Sequence, residues 1–255
     1  MELVHQQAAA PPRSRPHYFP AAERSSPASE APSLTDERRL AALQRCRLLD
    51  SEPEEAFDRV GRLAARLLGA PVALVSLVEP HRQFNKSVVG LGALADRVRE
   101  VPISHSLCRN VVAGAAPFAV EDAAGDPRVR DNPAWRSLGL TAYLGVPFRS
   151  RTGEVLGALC VLDREPRAWS SEDGRTLEEL AAVLTDEVEL REVALAHREA
   201  VCQLDAERRA TAARRRLVDT SLDAISDLFF ILDLDARLSE WNARVGEVTG
   251  YSADE

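Results

Sequence analysis

Lysine is nearly absent from this chain of 255 residues, and its positive charge is almost entirely arginine. Lys86 is the only lysine, which we interpret as base-composition bias rather than as chemistry, because proteins ordinarily use both basic residues. The net charge is −8, a balance that argues against nonspecific binding of nucleic acid. We therefore predict no nucleic-acid partner.

Cysteine and long apolar runs are also scarce. The cysteines are dispersed, with no C-x-x-C pair and no metal-ligand spacing: Cys46, Cys108, Cys160 and Cys202. Without a signal peptide, we expect free thiols in a reducing cytoplasm. The longest apolar run, near residues 71–78, is far shorter than the roughly 20 residues of a membrane-spanning helix. The sequence thus predicts a cytoplasmic protein without a metal centre or a membrane span.

The strongest pattern lies at the centre of the chain, in residues 104–163. Apolar residues alternate through 141–149, as in a strand with one buried face, and 155–163 is almost wholly apolar, as in a strand buried on both faces. The polar turn between them ends at Gly153, which suits a hairpin loop. Long polar connections precede this hairpin, and such loops on one face of a sheet are typical of a ligand pocket.

Helices are predicted on both sides of this centre. Ser33 and Ser51 are each followed three residues later by an acidic residue, which predicts two helix starts, and Gly69 predicts the end of the second helix. Ser170 with Asp173 predicts the start of a long helix by the same capping logic.

The remaining segments add strands and one short helix. Strands are predicted at 72–78, 83–89 and 117–120, with a loop at 90–102. A short helix that carries Cys108 is predicted at 103–112.

The order of these segments, from residue 34 to residue 189, resembles a GAF domain. The motifs that carry the likeness follow one another along the chain at 71–79, 82–91, 107–108, 120–123, 126–128, 131–133 and 157–163. The resemblance implies an α+β fold with a central antiparallel sheet and flanking helices, which signalling proteins use as a sensory or dimerising module. Many relatives have an aromatic residue where Asn85 stands, so we expect different pocket contacts there. The resemblance names neither a ligand nor a cofactor.

Further segments lie on either side of this region. Residues 190–222 are predicted to form a signalling helix, a coiled-coil linker, because apolar residues recur in a weak heptad pattern. Residues 223–255, with the Trp241-Asn242 pair, resemble the start of a PAS domain, which needs about 100 residues in full. The chain is therefore expected to be a truncated product whose output domain is missing. Residues 1–33, rich in Ala, Pro, Ser and Arg, are predicted to be a disordered tail.

Candidate pocket residues follow from the positions that the resembled fold places near its ligand. They are Phe84, His105, Cys108, Asp122, Asp131, Trp135 and Tyr143. Each has a structural alternative: a buried cysteine behaves as a small hydrophobe, loop aspartates form turns, and aromatic residues fill cores. His105 is most simply a hydrogen-bonded histidine at a helix start, since adjacent serines do not make a triad. In tetrapyrrole-binding relatives a histidine follows the attachment cysteine, whereas Arg109 follows Cys108, so we expect no bilin.

The sequence leaves two functions open. The first is a non-catalytic sensory module of a signal-transduction protein, as in two-component systems, that binds a small ligand or senses redox state. It would dimerise through the helices of 35–69 and 171–222 and signal to a PAS or output domain. The alternative is a GAF-fold thiol enzyme of the free methionine sulfoxide reductase kind.

The cysteines favour the first function. A thiol reductase needs a resolving cysteine within disulfide reach. Only Cys108 is predicted near the pocket, because Cys46 and Cys202 fall on outer helices and Cys160 falls in a strand. We therefore predict a sensory module with no catalytic residues of its own.

Overall fold

The computed structural model describes residues 34–233 and 235–250. The tail predicted at 1–33 and the last residues of the segment predicted to begin a PAS domain lie outside the described residues. The chain divides into two units, with the boundary between Glu192 and Val193.

The first unit is built on one antiparallel sheet with the strand order β3-β2-β1-β6-β5-β4. The strands are β1 Val72–Val78, β2 Arg82–Val89, β3 Glu100–Pro102, β4 Phe118–Val120, β5 Ala142–Arg149 and β6 Val155–Asp163. This confirms the predicted α+β class with a central antiparallel sheet. The loop prediction for 90–102 is wrong at its end, where β3 pairs with β2.

Helices accompany this sheet at α1 Glu37–Arg45, α2 Glu55–Leu68, α3 Cys108–Gly114, α4 Ala134–Leu138 and α5 Ser171–Asp223. Ser170 and Asp173 accept each other's backbone amides at the start of α5, which confirms the predicted capping box. α2 ends as predicted at Gly69, whose φ of 60° is left-handed. The long helix expected from 171 to 222 is thus present.

Two helix starts and one short helix differ from the prediction. α1 begins after Asp36, whose side chain accepts the Arg39 amide at 2.9 Å. α2 begins at Glu55 rather than after Ser51, because the Ser51 hydroxyl donates to the Leu48 carbonyl at 2.8 Å instead of capping. The helix predicted at 103–112 is split into a 3₁₀ turn and α3 by Ser106, which is extended.

β1 separates the core into two layers, because successive side chains of a strand point to opposite faces. Ala73, Val75 and Leu77 point towards α1, α2 and the first part of α5, and we call this side the helix face. Leu74 and Val78 point towards α3, α4 and the loops before β5, and we call this side the cavity face.

A β-bulge interrupts this alternation in β2. Ser87 pairs with Val75 and Asn85 pairs with Ser76, so Lys86 has no partner on β1. An extra residue in one strand shifts every later side chain by one position. Lys86 and Ser87 therefore both lie on the helix face, against α2.

The charge of Lys86 is neutralised within the helix face. Its Nζ donates to the Ser51 hydroxyl at 2.5 Å and to the Glu54 carboxylate at 2.6 Å. Arg191 of α5 donates to the other Glu54 oxygen at 2.6 Å and to the Cys46 carbonyl at 2.8 Å. The Lys86 side chain has no solvent exposure, and this burial lowers its pKa although Glu54 opposes the change. The network joins β2, the segment between α1 and α2, and α5.

The second unit contains the later part of α5, a hairpin and a short helix: β7 Phe230–Leu232, β8 Leu238–Trp241 and α6 Ala243–Thr249. Asn242 is buried and donates to the carbonyls of Ile225 and Asp227 at 3.1 and 2.8 Å. Within the described part of the chain, no helix has the length and apolar character that a membrane span requires.

Candidate functional site

A cavity of about 80 Å³ lies on the cavity face, between the sheet, α3 and α4. Its floor contains Cys108, Tyr143 and Cys160, which are at most 1% exposed. His105 and Ser137 line it where the side chains reach solvent. None of the lining residues is an Asp, Glu, Lys or Arg, so the cavity offers hydrogen bonds but no fixed opposite charge to an ionic ligand.

The structure brings together four of the candidate pocket residues. His105, Cys108, Trp135 and Tyr143 all line the cavity. Trp135 is held in place by its indole N–H, which donates to the Val129 carbonyl at 2.8 Å. His105 has no catalytic arrangement around it, since its Nδ1 contacts only the neighbouring Ser104 hydroxyl, at 3.1 Å, among the described hydrogen bonds.

The other three candidates lie elsewhere. Phe84 belongs to the core of the helix face, because it pairs with Leu77, which points to that side. Asp122 is exposed and its carboxylate accepts the Ala124 amide at 3.0 Å, as in a turn. Asp131 is exposed beside Arg130. Phe84 thus has the structural role that the sequence offered as its alternative, and neither aspartate reaches the cavity.

Gln83 and Asn85 line one wall of the cavity, and a buried chain of hydrogen-bonded polar side chains holds them in place. The Ser106 hydroxyl donates to Gln83 Oε1 at 2.5 Å, and Gln83 Nε2 donates to Asn85 Oδ1 at 2.7 Å. Ser76 also donates to Asn85 Oδ1, at 2.6 Å, and Asn85 Nδ2 donates to the Val98 carbonyl at 2.5 Å. Because each amide has partners, the wall is rigid and presents donors and acceptors in fixed directions.

The sequence anticipated only part of this wall. Asn85 was expected to alter the pocket contacts, whereas Gln83 and Ser76 were not recognised. Their signal was weak but present: Gln83 and Asn85 are polar residues two apart in a strand, so they share a face.

Two thiols meet at the floor. Cys108 Sγ lies 3.8 Å from Cys160 Sγ, and the Tyr143 hydroxyl donates to Cys108 Sγ at 3.4 Å. The prediction that only Cys108 lies near the pocket is therefore wrong. Cys160 faces the cavity because it alternates with Leu159 and Val161, which point to the helix face. Since β6 is apolar on both faces, the sequence carried no mark of which way Cys160 points.

The pKa values of the three groups at the floor are shifted in different directions. The Cys160 and Tyr143 hydrogen bonds lower the pKa of the Cys108 thiol, in that order of size, against an opposing effect of burial. Burial raises the pKa of Cys160, and the hydrogen bond and charge of Cys108 add to it. Burial likewise raises the pKa of Tyr143. Of the two thiols, Cys108 is the one that accepts the Tyr143 hydroxyl, and this hydrogen bond favours its ionised form.

Gly145 creates the space that Tyr143 occupies. Tyr143 and Gly145 are two residues apart in β5, so they share the cavity face. A Cβ at Gly145 would overlap the Tyr143 hydroxyl and ring. The tyrosine ring therefore lies along its own strand, which carries its hydroxyl to the thiols.

Comparison with known proteins places this arrangement in a family. Residues 52–188 match the model of the GAF domain. The chain is 34% identical, over 139 residues, to a cyclic di-GMP phosphodiesterase of Pseudomonas aeruginosa, a match that covers 54% of this chain and only 23% of that relative.

Solved structures are similar at lower identity. The GAF domain from an Acinetobacter phosphoenolpyruvate-protein phosphotransferase is 20% identical with a TM-score of 0.42, covering 65% of this chain and 98% of that one. A type II free methionine-R-sulfoxide reductase from Thermoplasma acidophilum is 18% identical with a TM-score of 0.41, covering 52% and 92%. Within the residues that the structure describes, no group of three or more His, Cys, Asp or Glu is placed to hold a metal ion.

Proposed function

The chain belongs to the GAF domain family, and we propose that it is the non-catalytic sensory part of a cytoplasmic signal-transduction protein. The observation that carries this proposal is the cavity, where a rigid polar wall and two thiols face an enclosed apolar space. Such a combination of apolar lining and a few fixed polar groups is typical of small-molecule sites.

The size and lining of the cavity support one class of ligand. Its volume of about 80 Å³ is well below the roughly 300–1,000 Å³ of sites for drug-sized molecules. Its lining has no cationic side chain to compensate a phosphate or carboxylate. The ligand is therefore a small, uncharged molecule that hydrogen-bonds to Gln83, Asn85 or Tyr143. A cyclic dinucleotide is too large and too anionic for this cavity.

The proposed organisation follows the helices. Residues 34–189 form the sensory domain, 190–222 the signalling helix, and 223–255 the start of a PAS domain. Arg191 supports this role for α5, because it ties that helix to Glu54 and thereby to β2, whose Gln83 and Asn85 line the cavity. The partial match to a cyclic di-GMP phosphodiesterase supports an enzyme of cyclic di-GMP metabolism as the output to which this part would signal.

Dimerisation through α2 and α5 is part of the proposal. Large apolar side chains are exposed on both helices, at Leu67, Leu190 and Leu204 among others. We expect the full chain to have a dimeric native mass at micromolar concentration, and Leu190→Glu to increase the monomer fraction. A monomeric mass of the unaltered chain would contradict this part of the proposal.

Ligand binding is tested by native mass spectrometry of the full chain, purified without added ligand. We expect an excess mass that disappears on denaturation, and its value narrows the chemical class. Ala134→Phe fills the cavity that Ala134 lines and should remove the excess mass, whereas Ala124→Phe, in an exposed loop, should retain it. A bare mass for the unaltered chain would reject ligand binding.

A thiol-dependent reductase is the second candidate, and the distance between Cys108 and Cys160 favours it. The lining argues against free methionine sulfoxide as the substrate, since no charged side chain meets its amino and carboxylate groups. Reduction of that substrate by the full chain with a dithiol reductant, lost in Cys108→Ser, would establish this candidate. Absence of turnover would reject it.

A further inference from the structure

Cys108 and Cys160 are set apart from the other cysteines by their mutual distance. Their sulfurs are 3.8 Å apart, and a disulfide bond of about 2.05 Å requires an approach of less than 2 Å. Cys46 lies on the helix face with its thiol hydrogen-bonded to the Leu43 carbonyl, and Cys202 is exposed on α5. Among the described residues, Cys108 and Cys160 are the two cysteines whose thiols lie within hydrogen-bonding distance of each other.

Access to the pair is restricted by the cavity. Both sulfurs are buried, but both residues line the enclosed space that opens near His105 and Ser137. A cavity of about 80 Å³ exceeds the roughly 10–15 Å³ that one water molecule requires, so it admits small molecules of the size of water. Hydrogen peroxide is about as large as two waters and carries no charge. It therefore fits the cavity, whose lining contains no Asp, Glu, Lys or Arg.

The groups around the pair prepare one sulfur for attack. The Tyr143 hydroxyl donates to Cys108 Sγ, and the Cys160 thiol lies within hydrogen-bonding distance of the same sulfur; both contacts can stabilise a thiolate there. Among the described hydrogen bonds, the Tyr143 hydroxyl donates to Cys108 Sγ and not to Cys160 Sγ, so Cys108 is the sulfur with the additional donor. One sulfur is thus a nucleophile and its neighbour a protonated thiol, the division of roles that disulfide formation needs.

We propose that Cys108 and Cys160 are a peroxide-sensing pair, which hydrogen peroxide converts to an intramolecular disulfide that links α3 to β6. The inference rests on the proposed sensory function and identifies one stimulus and its site.

The chemistry proceeds in two balanced steps. The Cys108 thiolate attacks one peroxide oxygen, the O–O bond breaks, and the second oxygen leaves as water after taking up the proton that the thiol released. This gives Cys108 sulfenic acid. Cys160 sulfur then attacks the Cys108 sulfur, the S–S bond forms, the S–O bond breaks, and the hydroxyl leaves as water with the Cys160 proton. In sum, two thiols lose two electrons and two protons, and one peroxide becomes two waters.

The disulfide changes the floor of the cavity. Closing the S–S distance draws the start of α3 towards β6 and removes the thiolate that accepts the Tyr143 hydroxyl. Since α3 and the sheet both line the cavity, oxidation alters the volume available to a ligand. A bound ligand and peroxide would therefore act on the same cavity.

The test is peroxide treatment of the reduced full chain, followed by denaturation, alkylation of free thiols and peptide mapping by mass spectrometry. We expect a Cys108–Cys160 disulfide that forms in the unaltered chain and reverts with a small dithiol reductant. Cys46→Ser and Cys202→Ser are matched controls that should retain it, and Cys108→Ser and Cys160→Ser should lose it. Mapping of the unaltered chain requires no variant, so a folding defect cannot obscure the result.

Tyr143→Phe examines the hydrogen bond separately. It should slow disulfide formation about tenfold near neutral pH, because a charged hydrogen bond contributes roughly one pKa unit or more to the thiolate. An unchanged rate would remove Tyr143 from the proposed role.

Other outcomes overturn the proposal. Oxidation at Cys202 alone, or stepwise oxidation of Cys108 to sulfinic acid without a disulfide, would show that the pair does not act together. The result is separable from ligand binding: an excess mass without a disulfide rejects this inference and leaves the ligand proposal standing. A disulfide without an excess mass supports the inference and rejects the ligand.

Discussion

The two faces of the central sheet share the same strands but are filled differently. The helix face is continuously packed, and its one lysine is neutralised by the Glu54 carboxylate in a network that includes Arg191. The cavity face has amide and hydroxyl side chains, two thiols and a cavity of about 80 Å³. Dense packing stabilises the helix face. The cavity face has fewer packing contacts, because part of its volume forms the candidate site. The contrast separates the residues that stabilise the fold from those that line the candidate site.

The largest expected effect is on the free energy of unfolding, and it is tested by truncating one leucine from each face. Leu144→Ala on the helix face should lower the free energy of unfolding by about 4 kcal/mol, because a buried leucine leaves a new cavity among packed neighbours. Leu140→Ala should cost only about 2 kcal/mol, because Leu140 already borders a cavity and has fewer contacts to lose. Denaturant unfolding of both variants measures the difference. Equal losses would contradict the distinction between the faces.

A smaller effect is expected from the ion network. Lys86→Met keeps the buried stem but leaves Glu54 with Arg191 as its remaining cation, so we expect a loss of about 2 kcal/mol, below the full cost of breaking a buried pair. Arg62→Met is the control, since Arg62 pairs with Glu55 on the surface and should change stability by less than about 0.5 kcal/mol. Thermal unfolding compares the two. A Lys86 variant as stable as the control would mean that the network contributes nothing.

The smallest effect is a pH dependence confined to the helix face. Burial alone would raise the pKa of Glu54, but the hydrogen bond and charge of Lys86, with Arg191, lower it below 4.5. A carboxylate with a lowered folded-state pKa stabilises the fold above pH 4.5, and this contribution is lost as the pH falls through the lowered value.

Because Glu54 is partly exposed, solvent screening limits that contribution to about 1 kcal/mol or less. We expect Glu54→Gln to lack this pH-dependent contribution, so that the difference in its free energy of unfolding from the unaltered chain shrinks as the pH falls and vanishes in strong acid. Urea unfolding across this range provides the measurement, and parallel curves for the two proteins would exclude the effect.

The two faces also explain which features of the fold could be predicted from the sequence. The β5–β6 hairpin, the Gly69 stop and the Ser170 capping box depend on local patterns, and they were predicted correctly. The face of the sheet on which Phe84 and Cys160 lie depends on how each strand pairs with its neighbours. Strands β1 and β6 are apolar at nearly every position, so no alternation marks their two sides.

The candidate site was predictable to the same extent. His105, Cys108, Trp135 and Tyr143 were placed by the order of motifs. The thiol pair required two facts that are not local, the pairing of β6 with β1 and the packing of α3 over it. Gly145 is similar, since only the structure shows that Tyr143 lies across it.

The bulge in β2 has a consequence for insertions and deletions. Lys86 is the residue without a partner on β1, so β2 is one residue longer than its register needs. Deleting Lys86 would restore regular alternation and leave Asn85 on the cavity face and Ser87 on the helix face. A single-codon deletion within a central strand usually turns every later side chain over. At this position it would remove the ammonium group and leave the remaining pattern intact, so a chain shortened by this one residue should still fold.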